Sequence, residues 1–239
     1  MSKEHFEPLY ILHSIGNPTP LIDLKRGWIS SGRNLKMEKQ DHGWTWEQTP
    51  ASRLIQAGRE AWLKGLIHGV SGNMSLCQNG LMYITSSGTC KGRLQALDVI
   101  RIDINSENPL DQGRVSSEAG MHRAVYALLP EARAIVHVHP TYVLALEQAG
   151  VDLLSSDLDL YEAAQIRSQL AAVPALPPGS GELAQAVAKA AEKCPAVYMA
   201  KHGLTCWGES LESALNLAEE LEGLAKVQFL SGCMHGRKK

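Results

Sequence analysis

What most constrains the fold is the irregular alternation, from residue 49 onward, of short β-branched runs with capped, amphipathic segments. A helix is expected from "TPASRLIQAGREAWLKGLIHG". Thr49 suits its N-cap and Pro50 its first position, and Leu54, Ala57, Ala61, Leu63 and Leu66 form one apolar face that Gly69 ends. Two β-type runs then flank Asn79-Gly80, a strong signal for a tight hairpin. "ALDVIRIDIN" reads as a further strand. "SSEAGMHRAVYALLPEA" reads as a helix that starts near Ser116 or Ser117, carries Glu118 in its first turn and stops at Pro130. "AIVHVHPT" is a strand closed by Pro140, and "TYVLALEQAG" a helix ended by Gly150. "GSGELAQAVAKAAEKC" is an amphipathic helix and "AVYMAKHGLTCWG" a strand with a turn. A long last helix, capped by Ser210, precedes a tail "CMHGRKK" expected to fray. No internal repeat is visible. The pattern implies an α/β or α+β class with one central sheet.

Residues 1–48 are different. "GNPTP", "SSGR" and "DHGW" are turn chemistry without periodicity, while Trp28, Trp44 and Trp46 argue against full disorder. They read as an N-terminal extension partly packed on the body, which leaves 49–239 as the catalytic-sized domain. Twenty-three Lys+Arg against 25 Asp+Glu give a formal charge of −2. No basic field exists to attract nucleic acid or an anionic membrane. No apolar run approaches the ~18 residues needed to span a bilayer. The first residues lack a secretory signal pattern. Five scattered cysteines (77, 90, 194, 206, 233), none in CxxC, suit a reducing, cytoplasmic setting.

Chemistry concentrates in the histidines. His137 and His139 lie two apart in a strand, so they share a face, about 6–7 Å apart along it. Two imidazoles so placed can reach one ion at about 2.0–2.1 Å. They can also be two half-buried, hydrogen-bonded strand residues. A third ligand would be His202, which follows an apolar β-type run and precedes Gly203. His122 competes, because it sits one helical turn from Glu118. His68 reads as a helix C-terminal cap, and His5, His13, His42 and His235 as solvated. Three segments rich in small donors, "SGN" at 71–73, "TSSG" at 85–88 and "SSE" at 116–118, can cradle a phosphate through hydroxyls and backbone N–H groups. Taken singly, each also fits an ordinary turn. "GSG" at 179–181 fits no dinucleotide fingerprint and reads as a cap.

In the order "SGNMS", "ITSSG", "SSEAGMHRAVY", "AIVHVHP", "KHGLTCWG", these segments resemble the class II aldolase/adducin family over about residues 50–232. The resemblance implies a mostly antiparallel central sheet layered with helices, and a zinc ion on His137, His139 and His202. Three imidazoles also accept Co²⁺, Ni²⁺ or Mn²⁺. It implies Glu118 as acid/base and as a further metal ligand. Gly72, Asn73, Ser87, Gly88, Ser116 and Ser117 would form a phosphate site. The family's homotetramers often place a neighbouring subunit's tyrosine in the site, for which Tyr161 is the nearest match. The implied activity is retro-aldol cleavage of a ketose 1-phosphate, fuculose-1-phosphate-like, to dihydroxyacetone phosphate and an aldehyde through a metal-stabilised enediolate. A methylthioribulose-1-phosphate dehydratase-like elimination is the alternative. A sugar-phosphate 4-epimerase (whose motif resembles SSD, where this chain has SSE), an aromatic-acid decarboxylase and a non-catalytic adducin-like module follow.

Overall fold

The computed structural model describes residues 49–105, 108–154 and 158–236, together with residues 39–40 and 43–44. The chain divides into two units, 1–47 and 48–239. In the first, β1 (Lys39–Gln40) pairs antiparallel with β2 (Gly43–Trp44). The expectations for Trp28, Trp46, His5, His13, His42 and the packing of the extension fall outside the described residues.

The second unit runs α1 (Pro50–Leu63), β3 (Asn73–Gln78), β4 (Leu81–Thr85), β5 (Val99–Asp103), α2 (Ala119–Leu128), β6 (Ala134–Val138), α3 (Thr141–Gln148), α4 (Tyr161–Ser168), β7 (Leu170–Val173), α5 (Gly181–Ala191), β8 (Ala196–Met199), β9 (Gly203–Gly208) and α6 (Leu211–Gly236). The seven larger strands form one sheet in the order β5-β4-β3-β6-β9-β8-β7. Every neighbouring pair is antiparallel except β7 and β8. The expected class, a mostly antiparallel sheet between helices, is the observed one.

Period-two alternation sorts the strands onto two cores. Met74, Leu76, Val136, Val138, Leu204 and Cys206 pack with α1, α4 and α6 on one face. Met82, Ile84, Ile100, Ile102, Ile135, Val197 and Met199 pack with α2 and α5 on the other. Asn79 and Gly80 both take positive φ (52° and 76°) and close the β3–β4 hairpin in the mirror-image turn that the Asn-Gly signal implied.

Three boundaries differ from the sequence reading. α1 ends at Leu63, because Gly65 at φ 72° turns the chain four residues before the expected stop at Gly69. Leu63 is consequently exposed, whereas Leu66 is buried from the following loop. His68 is therefore no helix cap, and its Nε2 lies 3.1 Å from Thr141 Oγ1. α2 begins at Ala119, with Glu118 itself at the N-cap. α6 continues to Gly236, through most of the tail expected to fray. Gly223 and Gly232 cost about 1 kcal/mol each in a helix interior, while α6 packs Ala225 and Phe229 against Val143 and Leu146 of α3. α4 and β7 carry too little periodicity to have been anticipated, and β7 is held by parallel pairing with β8. Among the described residues no helix is long and apolar enough to cross a membrane, and all five cysteines are free.

Candidate metal centre and its carboxylate

Three adjacent strands place polar residues inside an otherwise apolar sheet. Register sets Asn73 of β3 opposite His137 of β6, and His137 opposite Thr205 of β9. Ser75 lies two residues along β3 on the same face. Over this row runs α2, whose residues 118, 122 and 126 recur at one-turn spacing and so form a stripe facing the sheet. Asn73, Ser75, Glu118, His122, His137 and Thr205 are all buried.

The histidines come from three different stops of the chain. His137 is the fourth residue of β6. His139 follows the strand, and its backbone N–H is held by Leu66 O at 3.1 Å. His202 sits in the β8–β9 turn after Lys201, a non-glycine residue at φ 60°. Glu147 of α3 braces that turn by accepting the Lys201 N–H at 2.7 Å. The nitrogens that His137, His139 and His202 can offer lie within 4.8 Å of one another. Gly203 permits the convergence: a Cβ there would stand 2.5 Å from Val138 O and 2.8 Å from His139 Cδ2.

Hydrogen-bond chemistry tests whether these residues fit a cation. His137 Nδ1 lies 3.1 Å from Leu204 O, and a carbonyl can only accept, so that nitrogen carries the proton. Nε2 of the neutral ring is then a bare lone pair, 3.1 Å from Glu118 Oε2 and 3.0 Å from His139 Nε2. A lone pair against a carboxylate oxygen is repulsive unless a cation, proton or metal, lies between them. Buried Glu118 Oε1 and His202 Nδ1 have no hydrogen-bond partner, and Oε1 lies 3.2 Å from His202 Nε2. A histidine that gives its second N–H to a backbone carbonyl is the usual outer support of a metal ligand. The donor set fits a divalent transition ion.

Electrostatics agree with this arrangement. Burial alone would raise the Glu118 carboxyl, but a hydrogen bond and positive charge at His137, positive charge at His202 and the Asn73 amide outweigh it, holding the group well below the usual carboxylate range; a cation held by those rings would act in the same sense. Burial, reinforced by the other two rings, lowers His139 to about 4, and burial also lowers His202. Neutral imidazoles are the form that binds metal.

Of the remaining expected site residues, Asn73 and Ser116 meet Glu118 directly. Asn73 donates through Nδ2 to Glu118 Oε2 at 2.9 Å, so one of its two amide protons is already used. Gly72 and Gly88 have positive φ (67° and 76°), and a Cβ on Gly72 would stand 2.6 Å from His137 O. Ser117 is exposed. Ser116 is buried, and its Oγ accepts the Glu118 N–H at 3.3 Å. Tyr161, at the start of α4, is fully exposed. His122, the rival ligand, is buried and turned away into Ser75 and Asn73.

Sequence reasoning passed over two neighbours. Lys91, 1 % exposed, donates to Val70 O at 3.2 Å and Thr89 O at 2.8 Å, and so ties together the two loops that precede Asn73 and follow Gly88. Nothing in the run "CKGRL" advertises a buried lysine. The Gly179-Ser180 turn does cap α5, with Ser180 Oγ accepting the Leu183 N–H, but it also approaches Ser117 so closely that a Cβ on Gly179 would lie 3.0 Å from Ser117 O.

Known proteins share both sequence and fold with this chain. The family described as Class II Aldolase and Adducin N-terminal domain matches residues 52–229. A 3-oxo-tetronate 4-phosphate decarboxylase of Pectobacterium atrosepticum is 31 % identical over 78 % of this chain and 86 % of its own length. A methylthioribulose-1-phosphate dehydratase of Enterobacter sp. is 30 % identical, over 74 % and 93 % respectively. The solved structure of an L-fuculose 1-phosphate aldolase superposes with a TM-score of 0.69 at 29 % identity, covering 79 % of this chain and 88 % of that one. Matched residues, sheet order and the three-histidine cluster lead to one conclusion: the chain belongs to the class II aldolase/adducin family, as a metal-dependent enzyme whose candidate divalent-metal centre is His137, His139 and His202.

Proposed function

We propose that this chain is an aldehyde-lyase that cleaves a ketose 1-phosphate between C3 and C4, giving dihydroxyacetone phosphate and an aldehyde. The observation that carries the reading is Glu118: a buried carboxylate kept ionised, 3.1–3.2 Å from two of the three clustered imidazoles. Such a group is a base, not an acid. A divalent ion on His137, His139 and His202, zinc by preference and with Glu118 able to join as a ligand, would supply Lewis-acid polarisation of a substrate carbonyl.

The chain's own residues would do the rest. Ser87, Ser116, Ser117 and the backbone at Gly72, Asn73 and Gly88 would hold the phosphate and so fix which carbon faces Glu118. Glu118 takes the C4 hydroxyl proton as the C3–C4 bond breaks. The bonding pair stays on the dihydroxyacetone phosphate half, and the same proton is returned to C3. In a homotetramer, Tyr161 of a neighbouring copy would be the further proton donor as a relay, taking the C4 hydroxyl proton while giving its own to Glu118, a role for which its full exposure leaves it available.

Dehydration is the second reading, since Glu118 could instead remove a C–H proton while hydroxide leaves. The likeness to a dehydratase at 30 % identity supports keeping it. Decarboxylation, the reaction of the similar decarboxylase, removes no proton, and it would bring a substrate carboxylate against the Glu118 anion. A zinc-loaded preparation incubated with a panel of ketose 1-phosphates, and with 3-oxo-tetronate 4-phosphate, separates the three by product. Dihydroxyacetone phosphate supports the proposal. Water loss without C–C cleavage moves the assignment to dehydratase, and release of carbon dioxide moves it to decarboxylase. A 4-epimer as product would point to the epimerase. Protein that takes up no zinc and turns over none of these substrates would point to an adducin-like module.

A further inference from the structure

His122 is fully buried and takes no part in the histidine cluster, yet both its ring nitrogens are engaged. Nδ1 lies 2.6 Å from Ser75 Oγ, which in turn lies 2.7 Å from Tyr126 Oη. Nε2 meets Asn73 Oδ1, and Asn73 Nδ2 reaches Glu118 Oε2 at 2.9 Å. The direction of each bond follows from the last. A carboxylate only accepts, so the atom of Asn73 facing Glu118 is its NH₂ and the atom facing His122 is its oxygen. That oxygen also only accepts, so His122 carries its proton on Nε2. A neutral ring then presents a bare Nδ1, to which Ser75 must donate, and the Ser75 oxygen in turn accepts from the Tyr126 hydroxyl. Reversing Asn73 would set its oxygen against the Glu118 carboxylate.

We propose that Tyr126, Ser75 and His122 form a one-way donor chain that fixes the Asn73 amide and, through it, Glu118 Oε2, which makes His122 a positioning residue for the Glu118 carboxylate. Sequence supplies the register: 118, 122 and 126 share a face of α2, and 73 and 75 a face of β3. Bonds polarised in one sense strengthen one another in a low-dielectric interior. Burial lowers His122 to about 3, which keeps its ring in the neutral form the chain requires. The catalytic consequence rests on the acid/base role proposed for Glu118; the direction of the chain does not.

The tautomer of His122 reports the direction. Zinc-loaded full-length protein labelled with ¹⁵N-histidine is measured by long-range ¹H–¹⁵N correlation, with His122 assigned as the resonance lost in His122→Gln. The expected form is a single Nε2–H neutral ring. An Nδ1–H ring, an averaged mixture of tautomers or a doubly protonated ring overturns the proposal. This readout stands whether or not any sugar phosphate is turned over. Where the product panel yields a substrate, two variants test the consequence. His122→Gln keeps a donor near the Nε2 position, while His122→Asn mimics only Nδ1. His122→Gln should retain kcat within about tenfold, and His122→Asn should lose about 100-fold in kcat, with KM changed less than threefold. The two should melt at similar temperatures. Equal kcat in both variants, which a merely packing role would give, overturns the positioning role.

Discussion

Gly203→Ala isolates the convergence of the histidines from their identity, because it leaves every candidate ligand in place. Gly203 has no positive φ, so alanine is allowed on backbone grounds. The difficulty is space. The new methyl would stand 2.8 Å from His139 Cδ2 and 3.3 Å from His137 Cε1, against an ordinary contact distance of at least 3.4 Å, and 2.5 Å from Val138 O. The clash with Val138 O requires β9 to shift away from β6, and the His139 ring must end roughly 0.6 Å farther from Gly203, by that shift or by its own retreat. A metal site tolerates about 0.2 Å in ligand distance, so this displacement is about three times the tolerance. Overpacking of this kind costs about 1–3 kcal/mol of stability, and the melting temperature should fall by roughly 2–4 °C for each kcal/mol in a domain of this size. Affinity should fall at least as far as when an outer-shell support is removed, about 10- to 100-fold. Chelator competition with Zn²⁺ measures the affinity, and thermal unfolding of the metal-free protein confirms that the fold survives. Wild-type zinc affinity in a folded Gly203→Ala protein would refute the account of how the site is assembled.

Further consequences follow from the same geometry. Glu118→Gln should keep the fold and bind zinc within about tenfold of wild type while losing 10²–10⁴ in kcat; near-normal turnover on any substrate of the wild-type protein would remove Glu118 from the acid/base role. Acid should destabilise the metal-free protein through His122: above pH 6.5 both states are neutral, whereas between 6.5 and about 3 the unfolded chain takes up a proton that the native ring refuses. Stability is therefore lost as pH falls, by about 1.4 kcal/mol per unit from this group; urea midpoints that match at pH 7 and pH 4.5 would contradict this. Lys91→Met leaves Val70 O and Thr89 O unpaired, so a loss of about 1–3 kcal/mol is expected, with KM raised more than kcat is lowered; steady-state kinetics showing the reverse split would argue against a role for the two loops in phosphate binding.

The parts of this molecule that sequence revealed are those where one residue type has one physical job. Asn79-Gly80 demanded a two-residue mirror-image turn and Thr49-Pro50 a helix start, and the two-residue spacing brought the His137 and His139 rings together at 3.0 Å although the strand ends at Val138, one residue before His139. The convergence of His202 with them was legible as a strand-end histidine beside glycine, although the reason for that glycine appears only when Val138 and His139 press against it. What depends on tertiary contact was not legible. β7 exists because β8 pairs with it, α6 outlasts its glycines because α3 packs on it, and Lys91 is buried because two loop carbonyls meet it. His122 was the instructive ambiguity. Its spacing from Glu118 was read correctly as one shared face, but only the strand opposite decides that Asn73 stands between them, making His122 a neighbour of the carboxylate's partner and no third ligand.

The most direct test of the central claim is a zinc titration of chelator-treated protein, with bound metal and product release followed on the same samples. Product release should rise in proportion to bound zinc and saturate at one ion per chain, and His139→Ala should show neither bound zinc nor turnover. Undiminished turnover in protein containing no metal, or full turnover in His139→Ala, would contradict a lyase built on His137, His139 and His202.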